Sequence, residues 1–282
     1  MTHPSPSPSP AAPPTASWFQ LSHLSSGFIA VLVGYSSSVA IIFQAAHAAG
    51  ATPEQLNSWM WALGIGMGLS CIIPSLIFRA PILTAWSTPG AALLATSLQG
   101  LSMEQAIGIF VFSSALIALT GITGWFQKIM QVVPRHIASA MLAGVLLHFG
   151  LGLFSSMQSQ WAMSLSMLAA FLLSRLLMPR YAVLLALAVG ISYAFFSNQL
   201  HLELLNWTPA VPVFMSPEFK LEALLGVGIP LFMVTMTSQN IPGLAVLRAN
   251  GYQTPANPLI AGTGVLGVIL APLGDSPLIW LP

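Results

Sequence analysis

From residue 25 to residue 273 the chain is one apolar stretch after another, each close to the length that crosses a bilayer. A hydrocarbon core of ~30 Å takes roughly 20 apolar residues in helical form. Such stretches run over about 25–49, 57–78, 82–98, 105–127, 136–157, 161–177, 181–199, 221–247 and 257–273. Charged residues make up only 5% of the chain and hydrophobic ones 56%, whereas soluble domains carry about 25% charged residues. No water-compatible surface can be built from that composition. The chain reads as an all-α integral membrane protein with about nine spans.

The few charges test the count. With the N-terminus in the cytoplasm, the inner connections hold Arg79, Lys128, Arg135, Arg175, Arg180 and Arg248. The outer ones hold Glu54, Glu104, Glu203, Glu218, Glu222 and Asp275, with Lys220 as the only basic residue there. Orientation follows the Lys/Arg bias, and a single miscounted span would scramble this alternation. Residues 200–220 are the longest connection, and Pro209, Pro212 and Pro217 exclude a continuous helix in it.

Outside the spans little is informative. Residues 1–22 are a Pro/Ser-rich segment with nothing to pack, expected as a disordered cytoplasmic tail. No basic region with a cleavage site opens the chain, so the first span is expected to act as its own insertion signal. The net charge of +1 offers no basic cluster for nucleic acid. The single cysteine, Cys71, excludes an internal disulfide.

The third apolar stretch breaks the pattern. Ile82–Thr96, "ILTAWSTPGAALLAT", carries Ser-Thr-Pro-Gly at its middle. Ser87 or Thr88 suits an N-cap, Pro89 the first helical turn, and Gly90 keeps the backbone approachable. This predicts an extended piece over about 82–86 and then a half-helix starting near the bilayer midplane. Irregular backbone at that depth is tolerated only when buried in protein or lining a polar cavity. A half-helix start presents N–H groups and partial positive charge to an anion, an arrangement transporters use. The competing reading is an ordinary Pro-kinked span. The shortness of the segment favours the half-helix.

Two further polar clusters lie at membrane depth. Thr235–Gly243, "TMTSQNIPG", puts Ser238, Gln239 and Asn240 inside the eighth span, directly before Pro242. Adjacent Gln239 and Asn240 cannot face the same helical neighbour. Their amides offer donors and acceptors without a buried charge, or serve as glue between helices. In the first span, Tyr35-Ser-Ser-Ser38 precedes Gln44, which shares a face with Ser37 seven residues earlier; serines that bond their own backbone are an equal reading. His148 lies mid-span in the fifth stretch, either a packing residue or a proton relay. Gly64, Gly66 and Gly68, with Ala143-Gly144, offer small faces for helix packing. No metal-ligand spacing, nucleophile–base set or phosphate loop is present, so an enzyme, a cofactor and a metal are not expected.

Three of these pieces, "VLVGYSSSVAIIFQAA" at 31–46, "AWSTPGAAL" at 85–93 and "TSQNIPGLAVLRANGY" at 237–252, together resemble the bacterial benzoate:proton symporter family. That family is related to nucleobase:cation symporters and sulfate-type transporters. The resemblance implies a fourteen-span fold of two inverted seven-span repeats. A core is made from spans one to four and eight to eleven, and a gate from spans five to seven and twelve to fourteen. On this chain it implies core spans over 25–130, gate spans over 134–199, an outer linker over 200–220 and further core spans over 221–274. The third and tenth spans would each be a short strand plus a half-helix, facing each other across the substrate. Carried onto this sequence, the site is Ser87, Thr88 and Gly90 at the half-helix start, Ser238, Gln239 and Asn240 opposite, and Ser38 and Gln44 from the first span. The expected partners are benzoate or a similar aromatic carboxylate, protons, the lipid bilayer of the bacterial inner membrane, and a second copy in a homodimer. The residue that couples protons is unassigned, with His148 the candidate.

Nucleobase relatives carry an acid in the eighth span, where this chain has Gln239 and Asn240; an acid there would repel a carboxylate substrate. The family pattern should continue past Ile269-Leu-Ala-Pro-Leu-Gly274 into the broken tenth span, and residues 275–282 depart from it as an atypical, truncated end. The functional expectation is therefore a benzoate symporter by descent. A nucleobase or other organic-anion symporter and a non-transporting membrane fragment are the alternatives.

Overall fold

The computed structural model describes residues 21–125, 135–200, 209–252 and 254–280. Most of the tail, the connection holding Lys128 and the segment holding Glu203 lie outside the described residues.

The helices begin and end where local chemistry directs. α1 runs over Leu21–Ala48 and α2 over Pro53–Phe78. Thr52 caps α2 in a reciprocal box: its hydroxyl accepts the Gln55 N–H at 3.3 Å, and Gln55 Oε1 accepts the Thr52 N–H at 2.9 Å. α4, Met103–Thr123, starts with the same device from Ser102 and Gln105 and stops at Gly124, whose φ of 70° is left-handed. Between them lie strand β1, Thr84–Trp86, and a ten-residue helix α3, Thr88–Ser97. The third apolar stretch is thus an extended piece followed by a half-helix.

α5 covers Arg135–Ser159, α6 Trp161–Leu177 and α7 Ala182–Phe196. α6 and α7 pack as a pair, and a side chain at Gly190 would meet Met167 Sδ at 2.7 Å. The eighth stretch is a single rod with two wider turns in it. A short helical start is followed by a π-turn over Leu224–Gly228, helix α8 over Ile229–Thr235, a second π-turn over Met236–Asn240 and helix α9 over Ile241–Ala249. Pro242 lacks the N–H that an ordinary helical turn would use, and the second π-turn sits immediately before it. α10, Ala256–Leu270, completes the helices. Pro53–Phe78, Met103–Thr123, Leu221–Asn240 and Ala256–Leu273 are each long and apolar enough to cross a membrane.

Lipid gives helices no hydrophobic reason to associate, so they meet where small residues let backbones approach. α4 and α10 do so most closely. A Cβ on Gly264 would lie 2.2 Å from the Ala118 backbone nitrogen, and one on Gly121 would lie 2.3 Å from that of Ala261. The small faces expected on α2 and α5 contribute less: beside Gly68 and Gly144 there is open space.

Acidic side chains gather at one end of the bundle. Glu54 and Glu104 lie in the first turns of α2 and α4. Residues 209–220 cross the same end, where the Glu218 N–H bonds the Glu104 carbonyl at 2.9 Å and Gln105 Nε2 reaches Glu218 Oε1 at 3.1 Å. Ser58 Oγ accepts the Val213 N–H at 2.8 Å and donates to the Leu273 carbonyl at 2.7 Å, tying linker, α2 and the end of α10 together.

Residues 275–282 carry no element in the sequence-based expectation, yet Leu278–Trp280 form strand β2. It pairs antiparallel with β1 in the register Thr84↔Trp280, Ala85↔Ile279 and Trp86↔Leu278. The pairing joins residues almost 200 positions apart and brings the last described residues to the start of α3.

Candidate functional site

The site grows from Ser87. Its backbone is extended, with φ −75° and ψ 101°, so it closes β1 and opens α3 in one residue. Its hydroxyl accepts the Gly90 N–H at 3.0 Å, and its carbonyl accepts the Ala91 N–H at 2.7 Å. Pro89 has no N–H to offer. Of the first-turn donors this leaves the Thr88 N–H and hydroxyl, at the end of the helix where the dipole is positive. Ser87, Pro89 and Gly90 are buried and Thr88 is partly exposed. A Cβ on Gly90 would meet Ser87 Oγ at 2.8 Å and Leu231 Cδ1 at 3.0 Å. The room at Gly90 is therefore filled by the cap and by α8.

Around this helix start the fold gathers several elements. α1 packs along α3, α8 meets it through Leu231, and α5 packs against both α3 and the π-turn Met236–Asn240. β2 lies against the same π-turn, so the two-stranded ribbon links the "STPG" and "TSQN" segments.

Within the π-turn the polar side chains divide. Thr237 and Ser238 hydroxyls donate to the Met233 and Val234 carbonyls one turn back, the first at 2.8 Å. Their protons are thereby taken by their own helix. Asn240 is fully buried, with Nδ2 3.2 Å from Met236 Sδ. Gln239 is partly exposed. The adjacent amides thus point to different environments. Thr235, just before them, has a fully buried hydroxyl with no partner among the described residues.

Gln44 is exposed on α1, whose buried residues near it are Ile42, Ala45 and Ala46. The side chains of Ser38 and His148 lie outside the described residues; their backbones belong to α1 and α5. Among the described residues no three His, Cys, Asp or Glu side chains gather as a metal site.

Two features escape a reading of motifs. Tyr35 of α1 meets Trp86 of β1 edge to face, with ring centroids 4.8 Å apart, directly before the cap. Tyr35 stands in the quoted first-span piece, but nothing local ties it to Trp86. Asp275 follows α10 in the connection to β2 and is fully buried, with neither carboxylate oxygen partnered among the described residues. Burial pushes its carboxyl well above the usual range. Charge counting alone puts this residue in an outer connection and says nothing of its burial.

The sequence that builds this arrangement has relatives among known proteins. The family model described as benzoate membrane transport protein matches residues 17–278. The chain belongs to the benzoate membrane transport protein family. The match reaches from before α1 to the first residue of β2 and takes in both halves of the candidate site. The chain is 48% identical over 251 residues to the inner membrane protein YdcO of Escherichia coli, covering 89% of this chain and 64% of that protein. It is 39% identical over 253 residues to the benzoate membrane transport protein of Acinetobacter baylyi, covering 90% of this chain and 64% of the relative. It thus spans just under two thirds of the length of each.

Proposed function

We propose that this chain serves secondary active transport of benzoate or a closely related aromatic carboxylate, taken inward with protons across the bacterial inner membrane. The observation that carries the reading is the start of α3, where a buried strand-to-helix break leaves the Thr88 donors at a positive helix end. An anion suits such a place because N–H groups and dipole act together. A carboxylate there needs no buried counter-ion, and the partly exposed Gln239 of the π-turn offers a neutral amide in place of an acid. The name of the Acinetobacter baylyi relative supports benzoate as the substrate, and that of the Escherichia coli relative supports the inner membrane.

In this reading the N-terminus is cytoplasmic, and the nine stretches are core and gate spans in the order set out above. Ser87, Thr88 and Gly90 build one wall of the site, and Ser238, Gln239 and Asn240 the other, with Ser38 and Gln44 from the first span. The antiparallel β1–β2 pair is what two inverted repeats would bring together at their midpoints.

Radiolabelled benzoate uptake by cells producing this 282-residue chain tests the proposal. Uptake above that of cells lacking the chain, and abolished by a protonophore, is the expected result. Membrane-inserted protein with no uptake, or uptake indifferent to the protonophore, contradicts transport or its coupling respectively.

A further inference from the structure

A strand inside a membrane protein has two edges of N–H and C=O groups, and both need partners because no lipid can supply them. Among the described residues β1 has a strand on one edge only, namely β2. Its other edge faces α2, where two side chains bond the first residue of β1, Thr84, and the extended residue two before it, Ile82. Ser75 Oγ accepts the Ile82 N–H at 3.0 Å and donates to the Ile82 carbonyl at 3.2 Å. Cys71 Sγ accepts the Thr84 N–H at 3.1 Å and lies 3.5 Å from the Thr84 carbonyl as its donor. Each side chain thus engages both main-chain groups of one residue, as a paired strand does.

Spacing makes this feasible. Residues four apart on a helix are separated by about 6 Å along its axis, and alternate residues of a strand by about 6.6 Å. Cys71 and Ser75 are four apart, Ile82 and Thr84 two apart, and they pair in opposite order. Between Ile82 and Thr84, Leu83 turns its main-chain groups to the far edge by the strand's own alternation. Ser70 adds a hydrogen bond between its hydroxyl and Thr84 Oγ1, and Thr84 Oγ1 also reaches the Met67 carbonyl at 3.4 Å. Cys71 and Ser75 share one face of α2, Ser70 reaches Thr84 from the adjoining side, and Thr84 is buried among them.

Thr84 lies three residues before Ser87. With β1 held on both edges, neither its depth nor its rotation is free, and the direction of the Thr88 donors follows from both. We propose that Cys71 and Ser75 are positioning residues: a side-chain edge on α2 that completes β1 and thereby aims the start of α3 at the bound carboxylate. The proposal rests on the substrate reading of that helix start.

Hydrogen exchange in the segment 81–90 and equilibrium binding of radiolabelled benzoate, both on the purified 282-residue chain in lipid nanodiscs, test it. Cys71→Ala and Ser75→Ala should each speed exchange at Thr84 and Ile82 respectively by about tenfold and weaken benzoate binding about threefold to tenfold, the loss of one or two net hydrogen bonds. Cys71→Ser, which keeps a donor and an acceptor in the same place, should restore both readouts, and exchange within α4 should stay at its wild-type rate in every variant. Alanine variants with wild-type exchange over 81–90, or a serine variant as impaired as the alanine one, overturn the proposal. A wild-type chain that binds no benzoate overturns the positioning role together with the substrate reading. Exchange at Ile82 and Thr84 separately decides whether the side-chain edge exists.

Discussion

Tyr35 and Trp86 meet edge to face with 4.8 Å between ring centroids, joining α1 to the last residue of β1. Trp86 is 3% exposed and Tyr35 is partly exposed, so the pair closes the core on one side and leaves one ring accessible beside the α3 start. An aromatic pair adds about 0.5–1.5 kcal/mol beyond the area it buries. Tyr35→Leu should therefore lower the thermal stability of the purified chain modestly and weaken benzoate binding about threefold to tenfold. Binding of a saturated ring carboxylate, compared with benzoate, reports whether the ring contact is what is lost.

Ser87 has two separable duties, capping α3 and leaving the helix start attractive to an anion. Ser87→Ala removes the cap and should cost about 1 kcal/mol of stability. Ser87→Asp restores a capping oxygen and brings a negative charge to the same place. Thermal unfolding should find both variants less stable than the wild type, because a charge at buried Ser87 is costly whether or not it caps, and benzoate binding should be lost in the aspartate variant and only weakened in the alanine one.

The α4–α10 contact tolerates no side chain. A Cβ on Gly264 would fall 2.2 Å from a backbone nitrogen, which cannot move aside as a flexible side chain does. Gly264→Ala should destabilise the chain by roughly 1–3 kcal/mol or more. Gly262, beside which there is open space, is the control: Gly262→Ala should leave the unfolding midpoint unchanged or slightly raised.

Asp275 carries a pH dependence of definite sign. Its folded carboxyl titrates above the ordinary range, so from about pH 3.9 upward the folded chain holds a proton that the unfolded chain has released. Its contribution to stability therefore falls as pH rises through that window. Asp275→Asn should raise the thermal midpoint at neutral pH, by the equivalent of roughly 1–3 kcal/mol. The gain should disappear below the ordinary carboxylate pKa. Parallel melting curves at several pH values would show it.

Local chemistry was legible in the sequence, and long-range partnership was not. Ser87-Thr88-Pro89-Gly90 reveals a helix start because a cap, an N1 proline and a small residue act within one turn. The boundaries of α6 coincide with the apolar stretch at 161–177, although no side chain caps its start. β2 could not be read, since three residues show no period and its partner lies almost 200 positions earlier. The same holds for Cys71 and Ser75, whose four-residue spacing means nothing until β1 lies against it. Glycine patterns also mislead: of the conspicuous run, Gly68 faces open space and Gly64 has only ordinary contact with Tyr35, while the closest backbone approaches are at Gly108, Gly121 and Gly264. A small residue permits approach, and only the fold decides which one is approached. In the "TSQN" segment the Thr237 and Ser238 protons are directed to their own helix, which the sequence does not reveal.

The most direct test of the account is equilibrium binding of radiolabelled benzoate to the purified 282-residue chain, compared with its Thr88→Val and Gln239→Ala variants. Thr88→Val keeps the shape and removes the hydroxyl left uncommitted at the helix start, and Gln239→Ala removes the partly exposed amide of the π-turn. Saturable binding by the wild type, weakened about tenfold in each variant as expected for a lost hydrogen bond to a charged group, is the predicted result. Wild-type binding that both variants reproduce would place the carboxylate elsewhere and contradict the site described here.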